Sequence, residues 1–520
     1  MSISCLEAYL AFDFGAESGR AVLGSLNEQD RLSLTEIHRF GNRIINRSIL
    51  SKSSKNKRSS DSKNRRRTRL SWDIDMLYSE TLKGLIKSGK SVKKNAAPVS
   101  SIGIDAWGVD FCLIGKDGKI LEKPASYRDP RTKGIPSLFF RKMPPEKLYR
   151  LTGIQMLEIN TVFQLYSMAL ARDRALKSAA GLLFMPDTLN YLLTGVKKSE
   201  FTVSTTSQLL NPRKINWETE IFSALGIDMD IMQDVFLPGA ILGDLTSEAR
   251  KRAGMKATPV IAVGSHDTAS AVAAVPAEGG DFAYISSGTW SLVGMETGKP
   301  VINRKTLRYN LTNEGGVCGT FRLLKNVPGL WLIQRCRAAW AEEKNYTYGE
   351  LNKLAEKPLH FKSLIDSSSP AFFNPPDMPK AIRDFCISTG QPVPKKPGDY
   401  IRAIMESLAL SYRRTINELA DATGKKPRGI HIVGGGSMNA LLCQFTADAT
   451  GLPVYAGPAE ATAVGNILVQ AMALGRIKDL KHLRRVVRKS SPPKIYEPLG
   501  ESGWDDAYNR FEDFSEIGAC

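Results

Sequence analysis

The chain has 520 residues, 42% of them apolar and 24% charged, the balance of an ordinary globular protein, and its length exceeds what one hydrophobic core serves, so two domains are expected. No apolar run approaches the roughly 20 residues of a membrane-crossing helix, Met1–Leu10 lacks the basic start and apolar centre of a signal peptide, and seven scattered cysteines without a C-x-x-C argue against a zinc site and for the reduced thiols of a cytoplasm. The formal charge of +18 raises nucleic acid as a partner, but Arg47–Arg69 alone carries ten basic residues against Asp61, half of the excess, so the charge is local.

Taken in chain order, Tyr9–Gly24 reads as two strands around the loop Gly15-Ala16-Glu17-Ser18-Gly19-Arg20. The loop offers backbone N–H groups, a hydroxyl and a guanidinium, all suited to an anion; equally it is a hairpin turn. It is neither G-K-[ST] nor a G-x-G-x-x-G before a helix. Asp13, at the end of the first strand, either faces a magnesium ion or simply closes the strand. Ser48–Thr68 is rich in Ser, Lys, Arg and Asn and reads as a mobile surface insertion. No aromatic residue interleaves there to stack on bases, which favours a solvated loop over a nucleic-acid contact. Ser101–Phe111 is a strand running into Trp107-Gly108, after which another begins. Trp107 and Asp110, with Tyr127–Arg131, either line a polar pocket with an aromatic floor or form a core tryptophan and a surface ion pair. Phe184–Gly195 reads as a capped helix, Pro186 near its start and Gly195 at its stop.

Pro259–Val263 is a hydrophobic run that delivers Gly264-Ser265-His266-Asp267-Thr268. Asp267 is a candidate general base for a substrate hydroxyl; the other reading is an N-cap for the helix suggested from Thr268 onward. Phe282–Gly294 repeats the first design, two strands around a turn of glycine and hydroxyl residues. A duplicated architecture, each half giving one loop to a shared phosphate chain, is the economical explanation. Asp399–Leu419 is an amphipathic helix stopped at Gly424. Gly429–Cys443 is strand, glycine turn and helix, with Ser437 and Asn439 opening a helix whose dipole favours anions. Glu460–Leu474 gives another helix before Gly475, and Trp504–Phe511 a final one docked by aromatics. Strands and helices alternate, so the class is α/β.

With these residues on the page, the chain resembles the FGGY carbohydrate kinases over nearly its whole length except the basic insertion. Asp13–Arg20 is similar to the family's first phosphate loop, and Gly103–Phe111 and Tyr127–Thr132 to its sugar-side elements. Gly264–Ser270 is similar to the segment carrying the catalytic aspartate, Ser286–Ser291 to the second phosphate loop, and Gly434–Asn439 to the adenosine motif. Asn313–Gly316 with Leu324–Gln334 is most like the branch acting on L-rhamnulose. The resemblance implies two actin-like (ribonuclease H-like) ATPase domains with a cleft between them. The domains are expected at 1–262 and 263–480, with a helical tail at 481–520. It further implies transfer of the γ-phosphoryl group of ATP, with Mg2+, to the 1-hydroxyl of L-rhamnulose. Another ketose such as L-fuculose, or a non-catalytic ATP- and sugar-binding regulator, is the alternative. Asp267 falls on the base; Gly108, Trp107, Asp110, His266, Thr268 and Asn326 fall on the sugar side. Ala16, Glu17, Ser18, Gly19, Arg20, Thr289, Gln334, Gly435 and Gly436 fall on the nucleotide side, and Asp13 on the metal, through water. The expected partners are ATP and a small ketose, with no membrane and no specific nucleic acid. Glu17 departs from the family, which often has a small hydroxyl residue there; it either points outward or is offset by Arg20.

Overall fold

Tyr9–Phe12 is apolar without interruption, and a strand of that composition must be covered on both faces. The computed structural model describes residues 5–49, 67–95, 98–373, 375–500 and 502–517, and these divide into two units. In unit 1, β1 (Cys5–Phe14), β2 (Ser18–Asn27), β3 (Leu32–Gly41), β6 (Val99–Ala106), β7 (Ile241–Asp244) and β8 (Pro259–Ile261) form one sheet in the order β7-β8-β6-β1-β2-β3. β1 and β2 are the predicted hairpin, antiparallel, with Asp13 opposite Arg20. β1 and β6 are parallel, which sets Asp13 beside Asp105. The same end of the sheet receives His266, bridged to Ala106 just beyond β8. Three polar residues are thus brought to one edge by register alone.

A second ladder joins β4 (Ile44–Ile49) and β5 (Arg67–Trp72), antiparallel, with Arg47 opposite Arg69. The expected insertion therefore begins and ends in strands; its interior, 50–66, lies outside the described residues. Arg47 and Arg69 reach Glu122 at 3.8 and 3.7 Å, so the flanking charges are partly met within the protein. The helices α1 (Ile74–Asn95), α2 (Met185–Thr194), α3 (Phe201–Thr205) and α4 (Asp267–Ala273) belong to this part of the chain. α2 ends at Gly195 with φ +79, the left-handed geometry its glycine predicts.

Unit 2 holds β9 (Ala283–Ser287), β10 (Trp290–Thr297), β11 (Phe321–Pro328), β12 (Ile430–Val433), β13 (Val454–Ala456) and β14 (Lys494–Tyr496), ordered β11-β10-β9-β12-β13-β14. β9 and β10 are the second predicted hairpin. Its helices include α5 (Trp331–Trp340), α6 (Pro397–Thr423), α7 (Ala440–Thr450), α8 (Leu480–Ser490) and α9 (Trp504–Ile517). The apolar stripe predicted for α6, from Ile401 to Leu419, is buried throughout, and Gly424 ends the helix with φ +71. Trp504 and Phe511 of α9 lie in the core that α6 organises.

The division departs from the expected limits. Unit 1 comprises 1–270, 313–319 and 465–479, and unit 2 the remainder. Val263–Ser270 stays with unit 1 because the Ala106 N–H donates to the Ser265 carbonyl at 2.9 Å. Asn313 returns to unit 1 through its N–H to the Gly153 carbonyl, 2.8 Å. Most of the helix Ala461–Ala473 returns as well: a Cβ at Gly103 would collide with Asn466 and one at Gly24 with Ile467, so two glycines let it lie close on the sheet. Nor is 481–520 a separate tail. β14 pairs with β13 as an edge strand of the unit 2 sheet.

Candidate active site

Asp267 opens α4, the first residue after the turn Gly264–His266. Its Oδ1 accepts from the N–H and, at 3.1 Å, the hydroxyl of Thr268, so a capping role exists and involves one oxygen. The side chain keeps 31% of its accessibility. Loss of water around the carboxyl raises its pKa, the neighbouring His266 pulls it down, and Asp13 raises it again. His266 lies between two carboxylates: Nε2 is 3.4 Å from Asp267 Oδ1 and Nδ1 is 3.2 Å from Glu314 Oε2.

Next to this pair the sheet presents Asp13 and Asp105. Arg20 Nε and Nη2 reach Asp13 Oδ2 at 3.0 and 2.8 Å. The guanidinium expected for a phosphate thus braces the carboxylate across the hairpin. Glu17 is exposed, as the outward reading requires. Gly19 is tight against the Phe40 ring, and Asn42 ties the loop down through the carbonyls of Gly15 and Glu17. Asp105 is completely buried; Asn466 Nδ2 donates to its Oδ2 at 2.5 Å, Gln470 holds Asn466, and Ser101 holds Gln470. Its Oδ1 has no hydrogen-bond partner among the described residues. Burial, with Asp13 alongside, pushes the Asp105 pKa well above the carboxylate range. Among the described residues no three His, Cys, Asp or Glu side chains are grouped to hold a metal unaided. Asp13 offers the hard oxygen donor that magnesium prefers, and magnesium keeps most of its water.

On the expected sugar side, Trp107 is buried against Trp72, ring centroids 4.5 Å apart. Asp110 departs from expectation. It is completely buried, Oδ2 accepting from Trp72 (2.6 Å), Trp107 (3.0 Å) and the Tyr127 N–H (3.1 Å), and Oδ1 from Gln164 (3.0 Å). Burial raises its pKa to about 6 despite these four donors. With both oxygens engaged internally it fixes the tryptophans and forms no surface ion pair. Gly108 and Val109 remain partly exposed beside it. Asn326 lies on β11 in unit 2, partly exposed and opposite Leu292.

Unit 2 gathers the other nucleotide candidates. Thr289 is the turn of the β9–β10 hairpin, and its carbonyl accepts from the N–H groups of Gly329 and Trp331 at the start of α5, the helix that carries Gln334. Gly435 and Gly436 follow β12, which pairs in parallel with β9. A Cβ at Gly436 would overlap Ser287 Oγ, so this glycine lets the two loops touch. Asn439 caps α7 by accepting from the Leu442 N–H at 3.1 Å. Thr289, Gln334, Gly435 and Gly436 thus share one end of one sheet. Asp105, Glu314, Asn466 and the threonines of α3 were assigned no role from the sequence. A charge inside Ile102–Ala106 and an amide inside the apolar run Ala461–Leu468 are the signals that mark the first and third.

Solved structures show the same arrangement of the chain. A xylulose kinase from Lactobacillus acidophilus matches with TM-score 0.77 at 15% identity, covering 98% of each chain. Plasmodium falciparum glycerol kinase with ADP matches with TM-score 0.75 at 13% identity, covering 99% of each. The fold is the one these solved structures have: two α/β units, each with a glycine and hydroxyl hairpin, and a carboxylate leading a helix in the first. The models of the FGGY family of carbohydrate kinases match too, the N-terminal domain over residues 8–274 and the C-terminal domain over 283–474. The chain belongs to that family, and it is an enzyme that transfers phosphoryl groups to an alcohol acceptor. Among curated relatives, the rhamnulokinase of Bacteroides thetaiotaomicron is 45% identical over 504 residues, 97% of this chain and 98% of the relative. That of Halalkalibacterium halodurans is 41% identical over 94% and 98%.

Proposed function

We propose that this kinase transfers the γ-phosphoryl group of ATP to the 1-hydroxyl of L-rhamnulose, giving L-rhamnulose 1-phosphate. Relatives called rhamnulokinase, 37–45% identical over nearly the whole chain, support the choice of sugar. The observation that carries the chemistry is Asp267, accessible at the head of α4 with one oxygen committed to Thr268 and the other open. Oδ2 accepts the hydroxyl proton as the sugar oxygen bonds to the γ-phosphorus; the bond from phosphorus to the bridging oxygen breaks and ADP leaves. Such a reaction asks a protein mainly for alignment and charge neutralisation. His266 and Thr268 orient the sugar at the base, with Gly108, Trp107 and Asn326 as further contacts. Asp110 supports Trp107 from beneath. Ala16–Arg20, Thr289, Gln334, Gly435 and Gly436 attend the nucleotide. Magnesium, when bound, neutralises phosphate charge, and Asp13 would hold it through water. The absence of a membrane-crossing helix among the described residues and the free thiols of Cys112, Cys318, Cys336, Cys386 and Cys443 are consistent with a cytoplasmic enzyme.

The test is ADP release with Mg-ATP and a panel of ketoses including L-rhamnulose, L-fuculose, L-ribulose and D-xylulose. Turnover greatest on L-rhamnulose, reduced by roughly 10²–10⁴ in Asp267→Asn with ATP affinity retained, is the expected result. Preference for another ketose would keep the kinase and discard this sugar. ATP binding with no turnover on any would leave a regulator.

A further inference from the structure

Phe201–Thr206 was given no part in the chemistry, yet this segment meets two of the segments placed at the sugar and the strand that carries Glu314, the carboxylate beside His266. Glu200, completely buried, caps α3: Oε1 accepts from the Thr202 N–H (2.9 Å), Oε2 from the Thr202 hydroxyl (2.6 Å) and the Val203 N–H (3.1 Å). Thr205 and the C-cap residue Thr206 follow Thr202 by three and four residues, so the three lie on one face of the helical turn. Each hydroxyl donates inward: Thr202 to Glu200, Thr205 to the Thr202 carbonyl (2.8 Å), Thr206 to the Val203 carbonyl (2.7 Å). Each then has lone pairs turned outward, and each accepts one amide. Thr202 takes the His266 N–H (3.1 Å), Thr205 the Gly315 N–H (2.9 Å) and Thr206 the Val109 N–H (3.1 Å).

Those amides belong to the base loop, to the end of the short strand Thr312–Gly315 that carries Glu314, and to the turn after Gly108. All three hydroxyls are buried, so no water replaces them. At Val109 the hold is needed locally: a β-branched residue at φ +66 is strained. Its carbonyl is fixed from the other side by the Thr161 hydroxyl at 2.7 Å. We propose that Thr202, Thr205 and Thr206 are positioning residues: through three backbone amides α3 sets the base loop and the sugar contacts at one common distance. Thr202 acts through Asp267 on turnover, and Thr206 through Gly108 and Val109 on sugar binding. The inference rests on the sugar-kinase reading above.

Valine matches threonine in shape but has no hydroxyl, whereas serine keeps it. Thr202→Val should lower kcat about tenfold or more with the KM for ATP unchanged, because a small displacement of a reacting group is costly in rate. Thr206→Val should raise the KM for the ketose about tenfold, an amide left unpaired freeing the Gly108 turn. Thr202→Ser and Thr206→Ser should stay close to wild type. Amide exchange read by mass spectrometry, which needs no turnover, should accelerate over 264–268 in Thr202→Val and over 106–111 in Thr206→Val. Valine variants with wild-type kinetics, serine variants as impaired as valine, or exchange accelerated evenly across unit 1 would each overturn the proposal. Inactivity of the wild type on every ketose would instead refute the substrate reading, and the exchange data would still decide the role of α3.

Discussion

At the scale of single residues, Asp267 and Asp110 are two carboxylates whose environments divide their work. Asp110 meets four donors and no solvent, so it is a scaffold for Trp72, Trp107 and Gln164. Asp267 has one oxygen held and one free. Desolvation raises its pKa above the ordinary 3.8 and His266 opposes that rise. The base proposed above must be ionised, so kcat/KM should fall as pH drops through the raised value. Replacing His266 by Asn removes the opposing influence, and the acid limb should move to higher pH in a steady-state profile. A limb that stays in place would take His266 out of that electrostatic role. Asp267 could be named as a candidate from the sequence because its neighbours form a compact motif. The burial of Asp110 was not, since its four donors come from Trp72, Trp107, Tyr127 and Gln164, spread over much of the N-terminal half.

At the scale of elements, α6 shows how a helix read from its apolar stripe holds something the stripe does not reveal. Arg402 and Glu406, one turn apart and both buried, pair at 2.7 Å. Arg402 also donates to the Ala355 carbonyl, and the Phe361 N–H donates to Glu406. Burial pushes the Glu406 pKa up to about 7 while Arg402 restrains the rise. The sign follows from linkage. The folded value lies above the ordinary 4.5, so this group's stabilisation is complete below about 4.5 and is lost as pH rises through about 7. Arg402→Met moves the folded value further up and deepens that loss. Urea unfolding should show about 3–5 kcal/mol of destabilisation at neutral pH, narrowing toward about pH 5 as Glu406 takes up a proton. A gap constant with pH would mean that lost packing, rather than the stranded carboxylate, dominates. α3 is the opposite case to α6. Thr202, Val203, Thr205 and Thr206 are β-branched and favour strand locally; the Glu200 cap and its tertiary contacts make the segment a helix.

At the scale of the molecule, β4 and β5 bracket the basic segment in register, Ile49 opposite Arg67. A hairpin is closed by a turn of a few residues, so the ladder does not depend on the length of what joins it. Replacing 50–66 by a short turn should leave ketose phosphorylation within about twofold of wild type, while retention on heparin falls because Lys52, Lys55, Lys57, Arg58, Lys63, Arg65 and Arg66 are gone. Loss of phosphorylation in a folded variant would give the segment a part in the reaction.

The sequence by itself determined the α/β class, both hairpins with their glycine turns, the α6 stripe and the Gly195 and Gly424 stops, because each depends on neighbours within a few residues. It also carried the family, since short motifs in one order survive without knowledge of their contacts. Only the tertiary structure decided that 313–319 and 465–479 return to unit 1, that β14 joins the unit 2 sheet, that Asn466 donates to Asp105, and that α3 holds the loop before Asp267. Those are pairings between residues far apart in sequence. Their hydrogen bonds form only once the sheet register has brought the partners together, and no local pattern records which distant partner that is.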